Sequence, residues 1–502
     1  MTWRTFTPAT PEDVSAALVR ARIAQPVWAS RPQRQRLGIL DEFHRLTFDR
    51  RDELATIISR ETGKPPAEAM ATEIAVVLDD ARFLRRAIPR IARSSWFRSG
   101  SLAMARKRLR VSHEPYGVVG LITPWNYPLM LACARLLPAL ATGNAVMFKP
   151  SELTPSVGEF THRLLIDAGV PPDVCALLQG DGVVGAALSS SPVDKMFLTG
   201  SVNAGRAVAR ACAERLVPCG LELGGSDAAI VLADAHLPSA AAGISWGRFS
   251  NAGQTCVAPK RVFVEASVCD AFLAEVARIV PQIRAGVAAD DSADMSPMIR
   301  PQFHDILVAQ RDDATRCGAR IAAIGANRDA RTFPPTVLTD VPDGARVLSE
   351  ETFGPLMTVI RVRDEAEAVL RANAGDFGLS ASVWSGSTRR AEHIAAQLAC
   401  GSVAINDVLL TAGVAELPHG GVRHSGYGRM HGIAGIEDCV RTKGIAAERF
   451  PRWRQSWWFG YSSSHRAGVD AFIRFAHDRS LIGRLRALPG FLRLLFRPDR
   501  RL

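Results

Sequence analysis

One cysteine of this chain lies in a short polar stretch that could present a thiolate to a substrate. Residues 249–256 read Phe-Ser-Asn-Ala-Gly-Gln-Thr-Cys and end at Cys256. Upstream, Glu222 stands in the sequence Leu-Glu-Leu-Gly-Gly at 221–225. A cysteine nucleophile with a carboxylate base is the pair that acyl-enzyme chemistry on a carbonyl substrate requires. A lone cysteine is more often structural, so the neighbours of Cys256 decide its interpretation.

Both contexts resemble the aldehyde dehydrogenase superfamily, and the resemblance extends from about residue 10 to about residue 445. It implies that Cys256 attacks an aldehyde to give a thiohemiacetal and then a thioester. The side-chain amide of Asn126, in Thr-Pro-Trp-Asn-Tyr-Pro at 123–128, would stabilise the oxyanion together with the Cys256 backbone N–H. Glu222 would activate the water that releases a free acid.

The resemblance also implies a nicotinamide cofactor, NAD or alternatively NADP. Lys149 and Glu152 would bind the adenosine ribose, Glu351 the nicotinamide ribose, and a glycine-containing helix start at 199–205 the pyrophosphate. The expected cofactor-binding residues are Trp125, Lys149, Ser151, Glu152, Gly200, Ser201, Gly205, Glu351 and Phe353. A carboxylate at Glu152 repels a 2′-phosphate, which favours NAD. No cluster of ligands suggests a metal.

Strands and helices alternate from about residue 118 to about residue 425, which predicts an α/β fold with parallel sheets. Residues 10–95 are predicted to be helical, and 102–116 to form an extended hairpin. The resemblance divides the chain into a Rossmann-like NAD-binding lobe (1–96 and 116–224), a catalytic lobe (225–433) and a small β oligomerisation flap (97–115 and 434–446). A homodimer or homotetramer is therefore expected.

The net charge of +11 is concentrated at the C-terminus. Residues 451–502 contain eleven Arg, three Asp and neither Lys nor Glu, a net charge of +8. The rest of the chain is nearly balanced, so no nucleic-acid partner is expected. The tail also carries an aromatic cluster at 453–461 and apolar residues at helical spacing, with a predicted break at Pro489-Gly490. These features predict contact with an anionic membrane surface; alternatively, the apolar stripe docks on the protein itself.

The nine cysteines are scattered and odd in number, which argues against a disulfide framework. The N-terminal residues have no apolar signal-peptide core, and no stretch is long enough to span a membrane. We therefore expect a cytoplasmic enzyme, with the tail placing it peripherally on the cytoplasmic membrane face.

The substrate is the least defined feature. The candidate tunnel residues are Tyr127, Met130, Trp246, Leu409 and Leu410, which favour an apolar aldehyde of medium or long chain, or an aromatic one. A semialdehyde dehydrogenase acting on an anionic substrate is the alternative within the family. A catalytically silent scaffold with this fold is the non-enzymatic alternative. The chain departs from the usual pattern at His419, where the family has Phe, and at Ser226, where Lys is common; His419 is interpreted as a structural substitution.

Overall fold

The computed structural model describes residues 6–92, 96–101, 104–286, 292–326, 332–450, 455, 457–459 and 461–496. These residues divide into two compact units. The larger unit comprises the chain up to residue 92 together with 114–441, and the smaller comprises 93–113 and 442 onward.

The helices are, in chain order, α1 Pro11–Ser30, α2 Gln33–Asp49, α3 Arg51–Thr62, α4 Pro66–Ala69, α5 Ala75–Ala92, α6 Met130–Ala141, α7 Pro155–Asp167, α8 Gly182–Ser190, α9 Val202–Glu214, α10 Leu237–Phe249, α11 Cys269–Ile279, α12 Pro301–Arg316, α13 Arg346–Ser349, α14 Glu365–Asn373, α15 Thr388–Ala395, α16 Gly432–Glu437, α17 Ser463–His477 and α18 Leu481–Phe496. A π-helical turn, Met70–Ile74, joins α4 to α5.

The strands are β1 Trp96–Phe97, β2 Lys107–Pro115, β3 Val118–Ile122, β4 Ala145–Lys149, β5 Cys175–Leu177, β6 Lys195–Thr199, β7 Cys219–Glu222, β8 Asp227–Val231, β9 Pro259–Glu265, β10 Arg320–Ile324, β11 Thr336–Thr339, β12 Leu356–Val362, β13 Ser380–Trp384, β14 Ser402–Ile405, β15 Gly426–Tyr427 and β16 Val440–Glu448. Short 3-10 turns occur at Ser250–Gly253, Val280–Gln282, Leu410–Ala412 and Arg423–Ser425.

The larger unit contains two sheets. The first has the order β15-β7-β6-β3-β4-β5 and is parallel except for β15. The second has the order β10-β11-β12-β9-β8-β13-β14 and is parallel except for β10. The near-continuous apolar strands, such as β4 and β8, are buried throughout, as parallel sheets covered by helices require. The predicted α/β fold class is confirmed.

Four of the predicted motifs follow the carboxyl ends of neighbouring strands in the first sheet. The segment 123–128 follows β3, 150–152 follows β4, 199–201 follows β6 and 223–225 follows β7. In open parallel sheets, ligands bind at this edge. Strand order therefore brings together motifs that are up to about a hundred residues apart in sequence.

The smaller unit is a three-stranded sheet with the order β1-β2-β16, together with the helices α17 and α18. Residues 107–115 form one continuous strand, and the predicted extended hairpin turns earlier, where β1 pairs with β2 antiparallel. The helix α18 runs through Pro489 and Gly490, so the predicted break is wrong. Phe491 stacks on Phe475 with ring centroids 5.1 Å apart, and this packing favours a continuous helix over the local propensity of the Pro-Gly pair.

None of the helices in the described residues is long and apolar enough to cross a membrane.

Candidate active site

The loop before Cys256 is a tight, fully buried turn. Asn251, Ala252 and Gly253 all have positive φ, at 50°, 54° and 66°. A side chain at Gly253 would lie 2.6 Å from the Gly354 backbone, so glycine is required there. The Gln254 side chain fixes the turn, because its Nε2 donates to Asn251 O at 3.0 Å. The loop therefore holds Cys256 at a defined position.

Asn126 is tied to the same loop by two hydrogen bonds and to Lys64 by a third. Its Nδ2 donates to Gln254 O at 3.0 Å. The backbone carbonyl oxygen of Asn126 accepts from Asn251 Nδ2 at 2.8 Å and from Lys64 Nζ at 2.9 Å. A side-chain amide carries two N–H donors, so one remains for a developing oxyanion while the other orients the group. The structure thus brings Asn126 and Cys256 together, as predicted.

A buried ion pair supports the Asn126 loop. Lys64 Nζ donates to Glu73 Oε1 at 2.8 Å, and both side chains are fully buried. Glu73 Oε2 accepts from the backbone N–H groups of Leu129 and Met130 at 2.9 and 3.3 Å. The ammonium also lies 4.1 Å from the centre of the Tyr127 ring. Sequence reasoning missed this pair, because nothing in the spacing of a Lys and a Glu reveals that both are buried.

Burial raises the pKa of the Cys256 thiol to about 12, and the Lys260 ammonium opposes this shift. Lys260 Nζ donates to the carbonyl oxygens of Thr255 and Cys256 at 3.1 and 2.5 Å. The thiol is therefore protonated near neutral pH and must lose its proton as it attacks. Lys260 was not identified from the sequence, where it reads as an ordinary strand residue of β9.

Glu222 is the last residue of β7. Its side chain is buried and does not line the cavity that Cys256 lines. Burial raises the pKa of its carboxyl to about 8, while Arg135 and Arg429 lower it. Arg135 Nη2 lies 3.7 Å from Glu222 Oε1. Neither carboxylate oxygen has a hydrogen-bond partner among the described residues. Rotation of the side chain therefore breaks no hydrogen bond, and the flanking Leu223 and Gly224 line the cavity with Cys256.

A cavity of about 340 Å³ extends from Cys256 and Asn126 along the edge of the first sheet. Five of the predicted cofactor residues line it: Trp125, Gly200, Ser201, Glu351 and Phe353. The indole of Trp125 stacks on Phe303 at 5.4 Å and meets Phe353 edge-on at 5.6 Å. The wall is thus largely apolar and aromatic, as expected for a small-molecule site.

The residues around this cavity fit a dinucleotide. Gly224 lies so close to Glu351 that an added Cβ would be 2.1 Å from the carboxylate. Only glycine permits this close approach of the backbone to Glu351. Ser201 caps α9, whose N-terminus opens on the cavity, and a helix N-terminus favours phosphate oxygens. Gly205 packs against Leu223 and does not line the cavity.

Three of the predicted cofactor-binding residues form a polar group at the end of β4, beyond the residues that line the cavity: Lys149 and Glu152, which are predicted to bind the ribose, and Ser151. Lys149 Nζ lies 3.8 Å from Glu152 Oε2 and donates to Pro150 O. Desolvation lowers the pKa of Lys149. Ser151 Oγ accepts from Leu153 N, which indicates a role in shaping the turn.

A second cavity, of about 280 Å³, reaches Cys256 from another side. All five predicted tunnel residues line it: Tyr127, Met130, Trp246, Leu409 and Leu410. His419 and Asp407 also line it, so His419 is part of the cavity wall. Burial lowers the pKa of His419 to about 3, and its imidazole is therefore neutral. Cys256 and Leu131 line both cavities.

Residues 1–445 match the sequence profile described as Aldehyde dehydrogenase family. The chain belongs to this family. It is 38% identical over 472 residues to 4,4'-diapolycopene aldehyde oxidase of Methylomonas sp, which covers 94% of this chain and 88% of that protein. A Mycolicibacterium smegmatis protein provisionally named succinate-semialdehyde dehydrogenase [NADP(+)] is 38% identical over 445 residues, covering 88% of this chain and 85% of that protein.

A solved aldehyde dehydrogenase structure agrees with the fold as well. The Mycobacterium tuberculosis aldehyde dehydrogenase complexed with NAD+ superposes with a TM-score of 0.83 at 30% identity, covering 88% of this chain and 91% of that one. The predicted family, fold and enzyme class are confirmed, and so is the predicted cofactor class, NAD or NADP. The names of the relatives differ in substrate, so the comparisons leave the aldehyde of this aldehyde dehydrogenase open.

We predict that Lys64→Met destabilises the enzyme by about 3–5 kcal/mol, because Glu73 is left buried without its cation. Urea unfolding followed by fluorescence measures the change. The matched control is Lys64→Met with Glu73→Gln, which removes both charges and keeps an oxygen that can accept from Leu129 N–H. The double variant should recover part of the loss, and a single variant as stable as the wild type would contradict the prediction.

Proposed function

We propose that this enzyme oxidises a long, apolar aldehyde to its carboxylic acid with NAD or NADP. The observation that carries the proposal is the wall of the second cavity, which is mostly apolar where it reaches Cys256. Among the described residues that line it, the only charged one is Asp407, and none is Lys or Arg. An anionic semialdehyde would meet a carboxylate and no cation there, so the geometry favours an uncharged substrate.

In the proposed first step, the Cys256 sulfur attacks the aldehyde carbon while its S–H bond breaks and the proton passes to solvent water. The carbonyl oxygen becomes negative as the C–S bond forms. The free N–H of the Asn126 amide and the Cys256 backbone N–H stabilise it, and both are in place before the reaction begins. The Asn126 side-chain amide donates to the Gln254 carbonyl oxygen, and Lys64 Nζ holds the Asn126 backbone carbonyl, so the donor does not need to reorganise. The product of this step is a thiohemiacetal on Cys256.

The first cavity is proposed to hold the dinucleotide. Lys149 and Glu152 would hold the adenosine ribose, with Ser151 shaping the turn between them. Gly200 and Ser201 would hold the pyrophosphate, with Gly205 packing against Leu223, and Glu351 would hold the nicotinamide ribose. Trp125 and Phe353 would pack around the nicotinamide. When bound, this group supplies the hydride acceptor that converts the thiohemiacetal into a thioester. The support for these roles is that five of the residues line one cavity with Cys256.

Glu222 is proposed to act in hydrolysis of the thioester. Its side chain would rotate from the pocket beside Arg135 and take a proton from water as that water attacks the acyl carbon. Cys256 then leaves as thiolate and the acid is released. With a pKa of about 8, the carboxyl is mostly protonated at pH 7 and gains its basic form as the pH rises.

We also propose that the two sheets of the larger unit are the NAD-binding and catalytic lobes, and that the sheet β1-β2-β16 is the oligomerisation flap of a cytoplasmic homodimer or homotetramer. The support is the family resemblance of these segments.

An aldehyde panel tests the proposed substrate class. We predict that kcat/KM is at least tenfold higher for decanal than for succinic semialdehyde, since each buried methylene contributes about 0.8 kcal/mol. Cofactor reduction at 340 nm is the measurement. Cys256→Ala is the control and should abolish turnover with either aldehyde. A preference for succinic semialdehyde would transfer the enzyme to the anionic-substrate class.

We predict that Glu222→Gln retains a burst of about one reduced cofactor per active site and loses most of the steady-state rate. The burst precedes hydrolysis, and only hydrolysis needs the carboxylate. Stopped-flow absorbance measures both phases. In the wild type, the hydrolysis rate should rise with pH through about 8, and the variant should lack this rise. Equal loss of the burst and of the steady-state rate would place Glu222 before thioester formation.

We further propose that the tail, residues 451–502, binds an anionic membrane surface. The match to the Methylomonas protein spans 94% of the chain, a length that extends beyond residue 445, where the family profile ends. That protein is named for 4,4'-diapolycopene aldehyde. A tail shared with an enzyme of this name supports a role connected with an apolar aldehyde.

The tail helices α17 and α18 pack against each other through a small core. Phe491 is 6% exposed and contacts Phe472 and Phe475, and Gly468 lies against Leu494. Ten large apolar side chains of the tail are exposed: Trp457, Trp458, Phe459, Tyr461, Val469, Ile473, Leu481, Ile482, Leu485 and Leu492. The net charge of +8 selects anionic headgroups, at about 1 kcal/mol for each basic residue near the surface, and the exposed aromatic residues suit the interface.

We predict that the full-length enzyme sediments with vesicles containing anionic lipid, and that a chain ending near residue 450 does not. Leu481→Ser with Leu485→Ser should weaken binding, because both side chains are exposed and apolar. Leu216→Ser, at an equally exposed leucine outside the tail, is the matched control and should bind like the wild type. Binding that is the same for all chains, or absent at low salt, would refute the membrane proposal.

A further inference from the structure

The carboxylate expected to select NAD is not alone in this structure. Arg300 Nη2 lies 3.3 Å from Glu152 Oε1, and Lys149 Nζ lies 3.8 Å from Glu152 Oε2. Arg300 directly precedes α12, whose Phe303 lines the first cavity, whereas Glu152 and Lys149 belong to the turn after β4. Glu152 thus has a cation on each side, contributed by segments that follow different sheets.

These two cations change the electrostatic argument for cofactor choice. A lone carboxylate repels a 2′-phosphate, but here two cations offset the charge of Glu152. Desolvation lowers the pKa of Lys149, while the Asp181 carboxylate also acts on this lysine and raises its pKa. The two cations differ in freedom. Lys149 is buried and also donates to Pro150 O at 3.0 Å, so it is fixed. The Arg300 and Glu152 side chains are 43% and 34% exposed, and exposed ion pairs of this kind exchange readily.

We propose that Arg300 is a cofactor-specificity residue that lets this enzyme accept the 2′-phosphate of NADP as well as the free 2′-hydroxyl of NAD. With NAD, Arg300 stays paired with Glu152 and the carboxylate accepts the ribose hydroxyls. With NADP, the guanidinium leaves Glu152 and pairs with the phosphate. A guanidinium suits this exchange, because its planar fork of donors matches either a carboxylate or a phosphate. The proposal rests on the dinucleotide occupying the first cavity.

The test uses ligands that carry the adenosine end without the nicotinamide, so no turnover is needed. Isothermal titration measures the Kd of ADP-ribose and of its 2′-phosphate for the wild type, Arg300→Gln and the control Arg316→Gln. Arg316 is an exposed arginine at the other end of α12 that pairs with Asp313. We expect Arg300→Gln to raise the Kd of the phosphorylated ligand by about tenfold or more, because a charge-assisted pair is lost. The Kd of ADP-ribose should change by less than about twofold.

Two further measurements sharpen the result. In Glu152→Gln, the 2′-phosphate of ADP-ribose should bind more tightly and ADP-ribose itself more weakly, so the difference between their Kd values should become smaller. Added salt should weaken the phosphorylated ligand more in the wild type than in Arg300→Gln. The proposal would be overturned if Arg300→Gln lost affinity for both ligands equally, or lost affinity for neither.

The outcomes separate this proposal from the proposed function. A wild type that binds ADP-ribose but not its 2′-phosphate overturns the role of Arg300 and leaves aldehyde oxidation intact. A wild type that binds neither ligand overturns the cofactor assignment and this proposal together. The aldehyde panel has no bearing on either binding constant.

Discussion

The geometry of the active site depends on one buried ammonium group. Lys64 Nζ bonds Glu73 on one side and the Asn126 carbonyl on the other, and it lies over the Tyr127 ring. Glu73 in turn holds the first backbone N–H groups after the Asn126 loop. A charge removed from water is tolerated only when its donors are all satisfied. The requirement to satisfy this lysine therefore fixes the loop that carries the candidate oxyanion donor.

Other buried charges of the site are less completely satisfied, since Arg248 Nε and Nη1 have no hydrogen-bond partner among the described residues. Arg248 is fully buried, and desolvation lowers its pKa to about 9, while Glu351 raises it. The Lys260 ammonium donates its hydrogen bonds to carbonyl oxygens of the Cys256 loop. Cys256 itself is a neutral thiol with a raised pKa, and a thiol is a much weaker nucleophile than a thiolate.

The sequence was sufficient for those parts of the site that consist of continuous motifs. Cys256, Asn126 and the five cavity-lining cofactor residues were all named from short segments, and strand order then brought the segments together. Residues whose partners are distant in the chain or are backbone atoms escaped, because Lys64, Lys260 and Arg300 belong to no motif. Electrostatic predictions suffered most. The repulsion expected from Glu152 assumed a lone carboxylate, and its cationic partner Arg300 is 148 positions away.

In the tail the situation is reversed. Local propensity predicted a wrong helix boundary there, whereas the amino-acid composition was the informative property. The Pro489-Gly490 pair predicted a break, yet α18 continues through it because Gly490 admits Ala471 and Phe491 completes a small aromatic core. Only the arrangement of two packed helices explains which apolar residues are covered and which remain exposed.

The apolar cavity and the basic tail answer the same physical problem. An aldehyde with ten methylenes favours an apolar phase over water by about 8 kcal/mol, which corresponds to a partition factor of about 10⁶. Almost none of such a substrate is free in water, so a cavity that binds it well gains little if the enzyme remains in solution. The proposed membrane contact of the tail, whose exposed Leu, Ile and Trp side chains lie among arginines, would place the enzyme where such a substrate is concentrated. Under the proposed function, the tail and the wall around Cys256 would therefore serve the same substrate.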